Sequence, residues 1–205
     1  MSSPCAVRRR RRFVLTCLAL VATVLAGCAA SSVVSPPPDS SAACGGVDVQ
    51  RSAGFYPDLE VRLPALLAGT APSSRDSGRY CSARTLGPLI ADGYTEVRFA
   101  GATFPVTGQS GVSLVVYSAP GLTADQVGEA FRGGAGTGRK VTVVSDDPYT
   151  VAGRAGRRLV VLNGDTRQVV LAWPSGEPGV VRIVIAADVP DATIDGAITA
   201  LEDPG

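Results

Sequence analysis

Five cysteines, 18 carboxylates and one glycine-rich stretch are the residues of this 205-residue sequence whose types and spacing could do chemistry. Cys5, Cys17, Cys28, Cys44 and Cys81 could serve as nucleophiles, acylation sites, metal ligands or disulfide halves. There is no histidine. Ser-His and Cys-His dyads, imidazole general bases and imidazole metal ligands are therefore excluded, and most hydrolase chemistry goes with them. No two cysteines stand at C-x-x-C spacing, so a zinc site would rest on carboxylates. Asp146-Asp147-Pro148 pairs two carboxylates, but calcium takes six or more oxygens, and a turn before Pro148 is the expected role. From Gly133 to Lys140 the spacing approaches a phosphate-binding loop, with Arg139 where that loop needs its lysine and a helix before it where one should follow. A flexible helix-to-strand connection is expected there. Ser110, in Gly108-Gln109-Ser110-Gly111, misses the spacing of a nucleophile elbow. No catalytic residue, cofactor or metal is assigned.

The first segment has the parts of a secretory leader: a basic run Arg8 to Arg12, an apolar run from about Phe13 to Leu25, then small residues. About 13 apolar residues are too few to cross a bilayer core, which takes about 20. The run ends in Leu25-Ala26-Gly27-Cys28, which resembles the lipobox of bacterial lipoproteins. That resemblance implies cleavage between Gly27 and Cys28, a diacylglycerol thioether on the Cys28 sulfur, and acylation of the new amino terminus by a chain such as palmitate. Residues 1–27 are then a signal peptide. Two or more acyl chains hold a protein durably, each buried methylene contributing about 0.8 kcal/mol. Arg11-Arg12 before Phe13-Val14-Leu15 also meets the twin-arginine pattern, as a run of five arginines must, so Sec and twin-arginine export both stay open.

Residues 28–43 hold the lipid-bearing cysteine and an Ala, Ser, Val and Pro tether, including Pro36-Pro37-Pro38, that cannot form a core. Outside the cytoplasm the remaining pair, Cys44 and Cys81, is expected to form a disulfide. All 18 acidic residues and all but five of the 19 basic ones lie beyond the leader, which gives that part a net charge of −4. No basic stripe is left to neutralise phosphates, and nucleic acid is excluded as a partner.

Residues 44–205 must supply the framework. Pro64 limits Asp58 to Leu67 to short helical turns, and Ser82 to Ala91 is predicted helical up to Asp92-Gly93. Tyr94 to Ala100 and Val112 to Ser118 read as strands with a loop between, the second nearly all apolar and so central. Thr123 with Gln126 makes a capping box, Leu122 staples to Val127, and the helix should end at Gly133-Gly134. Lys140 to Val144 is a strand. Arg157 to Leu162 and Gln168 to Trp173 flank Asn163-Gly164, a hairpin signal. Val180 to Ala187 is a buried strand, and Asp191 to Leu201 buries Ile194, Ala197, Ile198 and Leu201 at helical spacing. Asp188, Asp191 and Asp195 suit caps and first-turn positions. Trp173 reads as core or rim packing, and Arg154 with Arg157-Arg158 as a solvated hairpin face or a contact for anionic headgroups.

Strands in runs closed by helices predict a single α+β domain, a mainly antiparallel sheet with helices packed on one face. The order resembles that of uncharacterised exported lipoproteins of actinobacteria, through the lipobox, Leu59-Glu60-Val61-Arg62-Leu63-Pro64 and Val151-Ala152-Gly153-Arg154. In element order alone it is similar to mycobacterial lipoproteins with a photosystem-accessory-like sandwich. The expected function is a non-catalytic binding or interaction module, lipid-anchored on the extracytoplasmic face of the cell membrane, with an envelope protein or small ligand as partner. The alternatives are an envelope enzyme working with carboxylates alone, as glycosidases do, and a carrier of a lipid or small ligand, which needs an apolar cavity between sheet and helices.

Overall fold

A computed structural model of the chain describes residues 39–44, 49–106, 110–138 and 140–204. The leader, the Gly27-Cys28 cleavage and lipidation site and the tether up to residue 38 lie outside the described residues. Among those described, no helix is long and apolar enough to cross a membrane.

The chain from residue 49 builds an eight-stranded antiparallel sheet in the order β1-β2-β3-β4-β8-β7-β6-β5. The strands are β1 Val49–Ser52, β2 Ser74–Tyr80, β3 Val97–Pro105, β4 Gly111–Ser118, β5 Val141–Val151, β6 Arg154–Asn163, β7 Thr166–Pro174 and β8 Val180–Ala187. Four helices join them: α1 Pro57–Glu60, α2 Ala83–Leu86, α3 Ala124–Thr137 and α4 Asp191–Glu202, with a 3-10 turn, Gly87–Ile90, directly after α2. The expected α+β class, antiparallel pairing and single domain are what the chain forms.

The layering departs from the one-face expectation, because both faces of the sheet are covered. On one face α1 and α4 close over Phe104, Val112, Leu114, Val116, Leu171, Trp173 and Val184. On the other, α2, the 3-10 turn and α3 close over Leu159, Val161, Val170, Ala172, Val181 and Ile183. The reason is in the strands. Side chains alternate between faces, so the apolar runs Val169 to Trp173 and Val180 to Ala187, the second broken only by Arg182, send apolar groups both ways, and neither face can be left to water.

Local signals place several elements where they were expected. Thr123 caps α3, its Oγ1 accepting from Gln126 N at 3.3 Å while Gln126 Oε1 accepts from Thr123 N at 3.1 Å, and Leu122 and Val127 lie buried together. The β6–β7 hairpin pairs Asn163 with Thr166 across a two-residue turn. Gly164 takes a φ of 62° in that turn, so Asn163 ends the strand and the turn sits one residue later than the Asn-Gly signal suggested.

Other elements overrule their local signals. β1 and β2 were not expected, since Ser74-Arg75-Asp76-Ser77-Gly78-Arg79 has no apolar alternation. β2 forms because β3 offers a full ladder from Thr103 to Val97 and because most of its buried polar groups find partners, Arg79 Nη2 being the exception. Arg79, 2% exposed, donates from Nε to Gln50 Oε1 at 2.7 Å, pairs with Glu96 at 3.3 Å and lies 5.7 Å over the Phe55 ring. Gly78 permits the close pairing of β1 with β2: a Cβ there would sit 2.1 Å from the Gln50 carbonyl oxygen. Gly78→Ala is therefore expected to displace β1 and cost about 2 kcal/mol in chemical denaturation.

β3 runs through Gly101 to Pro105 where a loop was expected, and α2 gives way at Gly87-Pro88 to the 3-10 turn. β5 continues through Asp146-Asp147-Pro148, which form no turn. It is an edge strand, where a proline's missing N–H can face solvent.

Candidate functional site

The second helical layer does not seal against the sheet. Between α2, the 3-10 turn and α3 on one side and the strands on the other lies an apolar cleft of about 350 Å³, at the small end of ligand cavities. Its aromatic side is Tyr80, Tyr117 and Phe131, its floor Leu159, Val161 and Val170. Tyr80 stacks on Phe99 with centroids 4.6 Å apart, meets Tyr117 edge-on at 5.8 Å, and Tyr117 faces Phe131 at 6.5 Å. This is a rigid wall, since each ring is held by the next.

Each part of the wall has a local cause. Tyr80 ends β2 and Tyr117 stands near the end of β4, so their side chains point to the α3 face of the sheet. Phe131 lies one turn beyond buried Val127 on α3, whose start is tied to the Tyr94 loop by a hydrogen bond from Tyr94 OH to Gln126 Oε1 of 2.9 Å. Opposite, Ser82 caps α2 in a capping box with Thr85, and Pro88 holds the 3-10 turn against Gly133, where a Cβ would come within 2.9 Å of Pro88 Cγ. Cys44 and Cys81, paired in the sequence reading, are joined with their Cα atoms 5.4 Å apart. Cys81 sits between Tyr80 and Ser82, so the bond fixes the corner from which one wall ends and the other begins.

The polar chemistry of the cleft is sparse. Tyr117 OH donates to Tyr80 OH at 3.4 Å, and burial, reinforced by Tyr80, pushes the Tyr117 phenol well above its ordinary value and keeps it protonated. Tyr80, having accepted, still holds one O–H to donate. Gln168, Arg84 and Thr85 also line the cleft, and among the described residues no carboxylate does.

The candidates singled out in the sequence are dispersed. Asp146 and Asp147, neighbours on a strand, point to opposite faces and cannot share a cation. Asp146 meets Arg157 at 2.7 Å and Arg132 at 3.4 Å. Asp147 borders a recess with Arg158, Asp191 and Asp195, yet among the described residues no cluster of acids or cysteines is arranged to hold a metal. Gly133 to Thr137 is helix, not a phosphate loop. Ser110 closes the connection into β4, its carbonyl accepting from Val106 N at 3.1 Å, and Gly108 and Gln109 lie outside the described residues. Trp173 is fully buried. Arg154 and Arg157 form no free basic face, since Arg154 binds Glu202 at 2.7 Å and Arg157 also reaches Glu129 at 3.2 Å. Asp191 is an acid in the first turn of α4, as expected, while the N-cap is Pro190 and Asp188 does not cap the helix. Asp188 instead accepts from Arg167 N at 2.8 Å.

Sequence reasoning missed the cleft altogether. Its lining comes from β2, α2, the 3-10 turn, β4, α3, β5, β6 and β7, and no local pattern joins Tyr80, Tyr117 and Phe131.

No family model matches the chain, and no curated protein matches it. Among solved structures it is similar to the solution structure of cyanobacterial PsbP (CyanoP) from Synechocystis sp. PCC 6803, at 14% identity and a TM-score of 0.33, over 78% of this chain and 94% of that one.

Proposed function

We propose that the protein is a lipid-anchored, non-catalytic binding module on the extracytoplasmic face of the cell membrane, and that it takes a compact, uncharged, largely apolar small molecule into the cleft beneath α3. The observation that carries this reading is the aromatic-walled cleft itself. An open apolar pocket with rigid rings, few polar groups beside Arg84, Thr85, Gln168 and the Tyr80 hydroxyl, and no carboxylate among the described residues favours burial of apolar surface over chemistry. Anchoring is supported by the lipobox resemblance at Cys28, and an oxidising compartment by the Cys44–Cys81 disulfide.

Two measurements test the two halves. N-phenyl-1-naphthylamine, a compact neutral fluorophore, is expected to brighten on binding to the full chain carrying Cys28→Ala, in which no acyl chain competes. Ala130→Phe, which adds a ring to the lining of the cleft, should remove that signal while leaving the circular dichroism spectrum unchanged. Brightening that survives the substitution places the probe elsewhere and defeats the cleft reading. For the anchor, cells fed labelled palmitate should label the wild-type chain and not the Cys28→Ala variant, which should also leave the membrane fraction; equal labelling of both would remove the lipoprotein assignment.

A further inference from the structure

The glycines of α3 divide into two kinds. Gly128 and Gly133 allow close approach: a Cβ at the first would lie 3.2 Å from Arg157 Cβ and Cγ, and at the second 2.9 Å from Pro88 Cγ. Gly134 and Gly136 have no such reason. A Cβ at either meets nothing within 4 Å, and neither residue has a positive φ. Glycine in a helix interior is the poorest choice after proline, because it gives up the most backbone freedom on ordering. Two of them stand here with nothing gained in packing or geometry.

Their place is informative. The fasteners of α3 precede them: the Thr123–Gln126 box, buried Val127, Glu129 paired with Arg157 at 3.2 Å, and Arg132 paired with Asp146 at 3.4 Å. After Arg132 there is no further ion pair on the helix among the described residues, its last turn carries no basic residue, and its C-cap Gly138 is extended at φ −74° with no left-handed capping turn. What holds this end is Thr137 Oγ1 donating to Gly134 O at 2.8 Å and the packing of Ala135 on the apolar layer, with no ion pair to another element among the described residues, and it forms part of the cleft wall through Gly134 and Ala135.

We propose that the end of α3, Gly133–Thr137, is the door of the cleft: it unwinds from a hinge at Gly133 to admit and release the ligand, then re-forms over it. The inference rests on the cleft being a ligand site. Local opening of this kind draws on the least stable part of an element, and each residue that raises helix stability there must slow it.

Gly136→Ala is the clean test, because Gly136 does not line the cleft. In stopped-flow mixing of N-phenyl-1-naphthylamine with the full Cys28→Ala chain, this change should slow association and dissociation alike, by about fivefold, and leave Kd unchanged, since free and occupied closed states gain equally. Gly134→Ala with Gly136→Ala should slow both by about thirtyfold. Unchanged rates in variants whose α3 is measurably stabilised would overturn the door. Amide hydrogen exchange tests it with no ligand: Gly134 to Gly138 should exchange faster than Val127 to Phe131 in the wild type, and Gly136→Ala should slow them by about fivefold. Equal protection along the whole helix rejects the door even where the probe binds, and absence of probe binding with fast exchange at Gly134 to Gly138 rejects the ligand site alone.

Discussion

Replacing Glu202 with alanine is expected to lower stability by about 3 kcal/mol and the Tm by about 10 °C, although the residue is the last of its helix. Its carboxylate gathers three donors: Trp173 Nε1 at 2.6 Å, Arg154 Nη1 at 2.7 Å and Arg182 Nη1 at 2.7 Å. Trp173 is fully buried and the Arg182 side chain 16% exposed. Without Glu202 an indole N–H and a guanidinium are left unpaired inside the fold, which costs more than the contacts themselves are worth. Trp173→Phe keeps the ring and removes one donor, so it should cost about 1 kcal/mol. Thermal melts of the three proteins decide it, and a Glu202→Ala loss no larger than that of Trp173→Phe would show that the arginines find other partners.

The same carboxylate sets an acid limit. Burial alone would raise its pKa, but the hydrogen bond from Trp173, those from Arg154 and Arg182, and the charge of Arg182 outweigh burial and hold it below the ordinary 4.5. A carboxyl whose pKa is lower folded than unfolded stabilises the fold fully above its unfolded value. That contribution is lost as the pH falls through the folded value. The gap between wild type and Glu202→Ala should therefore be constant near neutrality and narrow progressively below about pH 4.5. A gap that widens on acidification would contradict the assignment.

Removing the disulfide has the second large effect. Cys44 and Cys81 are 37 residues apart, and opening a loop of that length costs about 4 kcal/mol by the chain-entropy model, or about 12 °C in Tm. The loop contains β1, α1 and β2, the edge of the sheet with the shortest strand and the most polar one. Such an edge has little apolar burial to hold it once the tie is gone, and Tyr80 leaves the aromatic wall with it. Cys44→Ala with Cys81→Ala should melt early and brighten N-phenyl-1-naphthylamine weakly. A double variant as stable as the wild type would mean that the Arg79 contacts alone secure the edge.

What could be read in the residues was local. The bounds of β8 fall where an apolar run broken only by Arg182 begins and ends. α4 begins where expected and ends one residue later than the periodicity suggested, and the Thr123 box marks the start of α3 by its own hydrogen bonds. Where a signal was local but its meaning was not, the reading went astray. Gly133-Gly134 can end a helix, yet here the first is where Pro88 approaches and the helix continues; Asp-Asp-Pro can turn a chain, yet on an edge strand it need not.

The sequence by itself determined the class of the fold, the lack of imidazole chemistry, and which helices and strands carry their own start signals, because each is written in neighbouring residues or in composition. Only the tertiary structure decided that the polar segment Ser74–Tyr80 is a strand, that helices cover both faces, that Glu202 gathers Trp173 and two arginines, and that Tyr80, Tyr117 and Phe131 enclose a cleft. Each of these depends on groups far apart in the chain whose desolvation is tolerable only once they meet, and no window of sequence contains both partners.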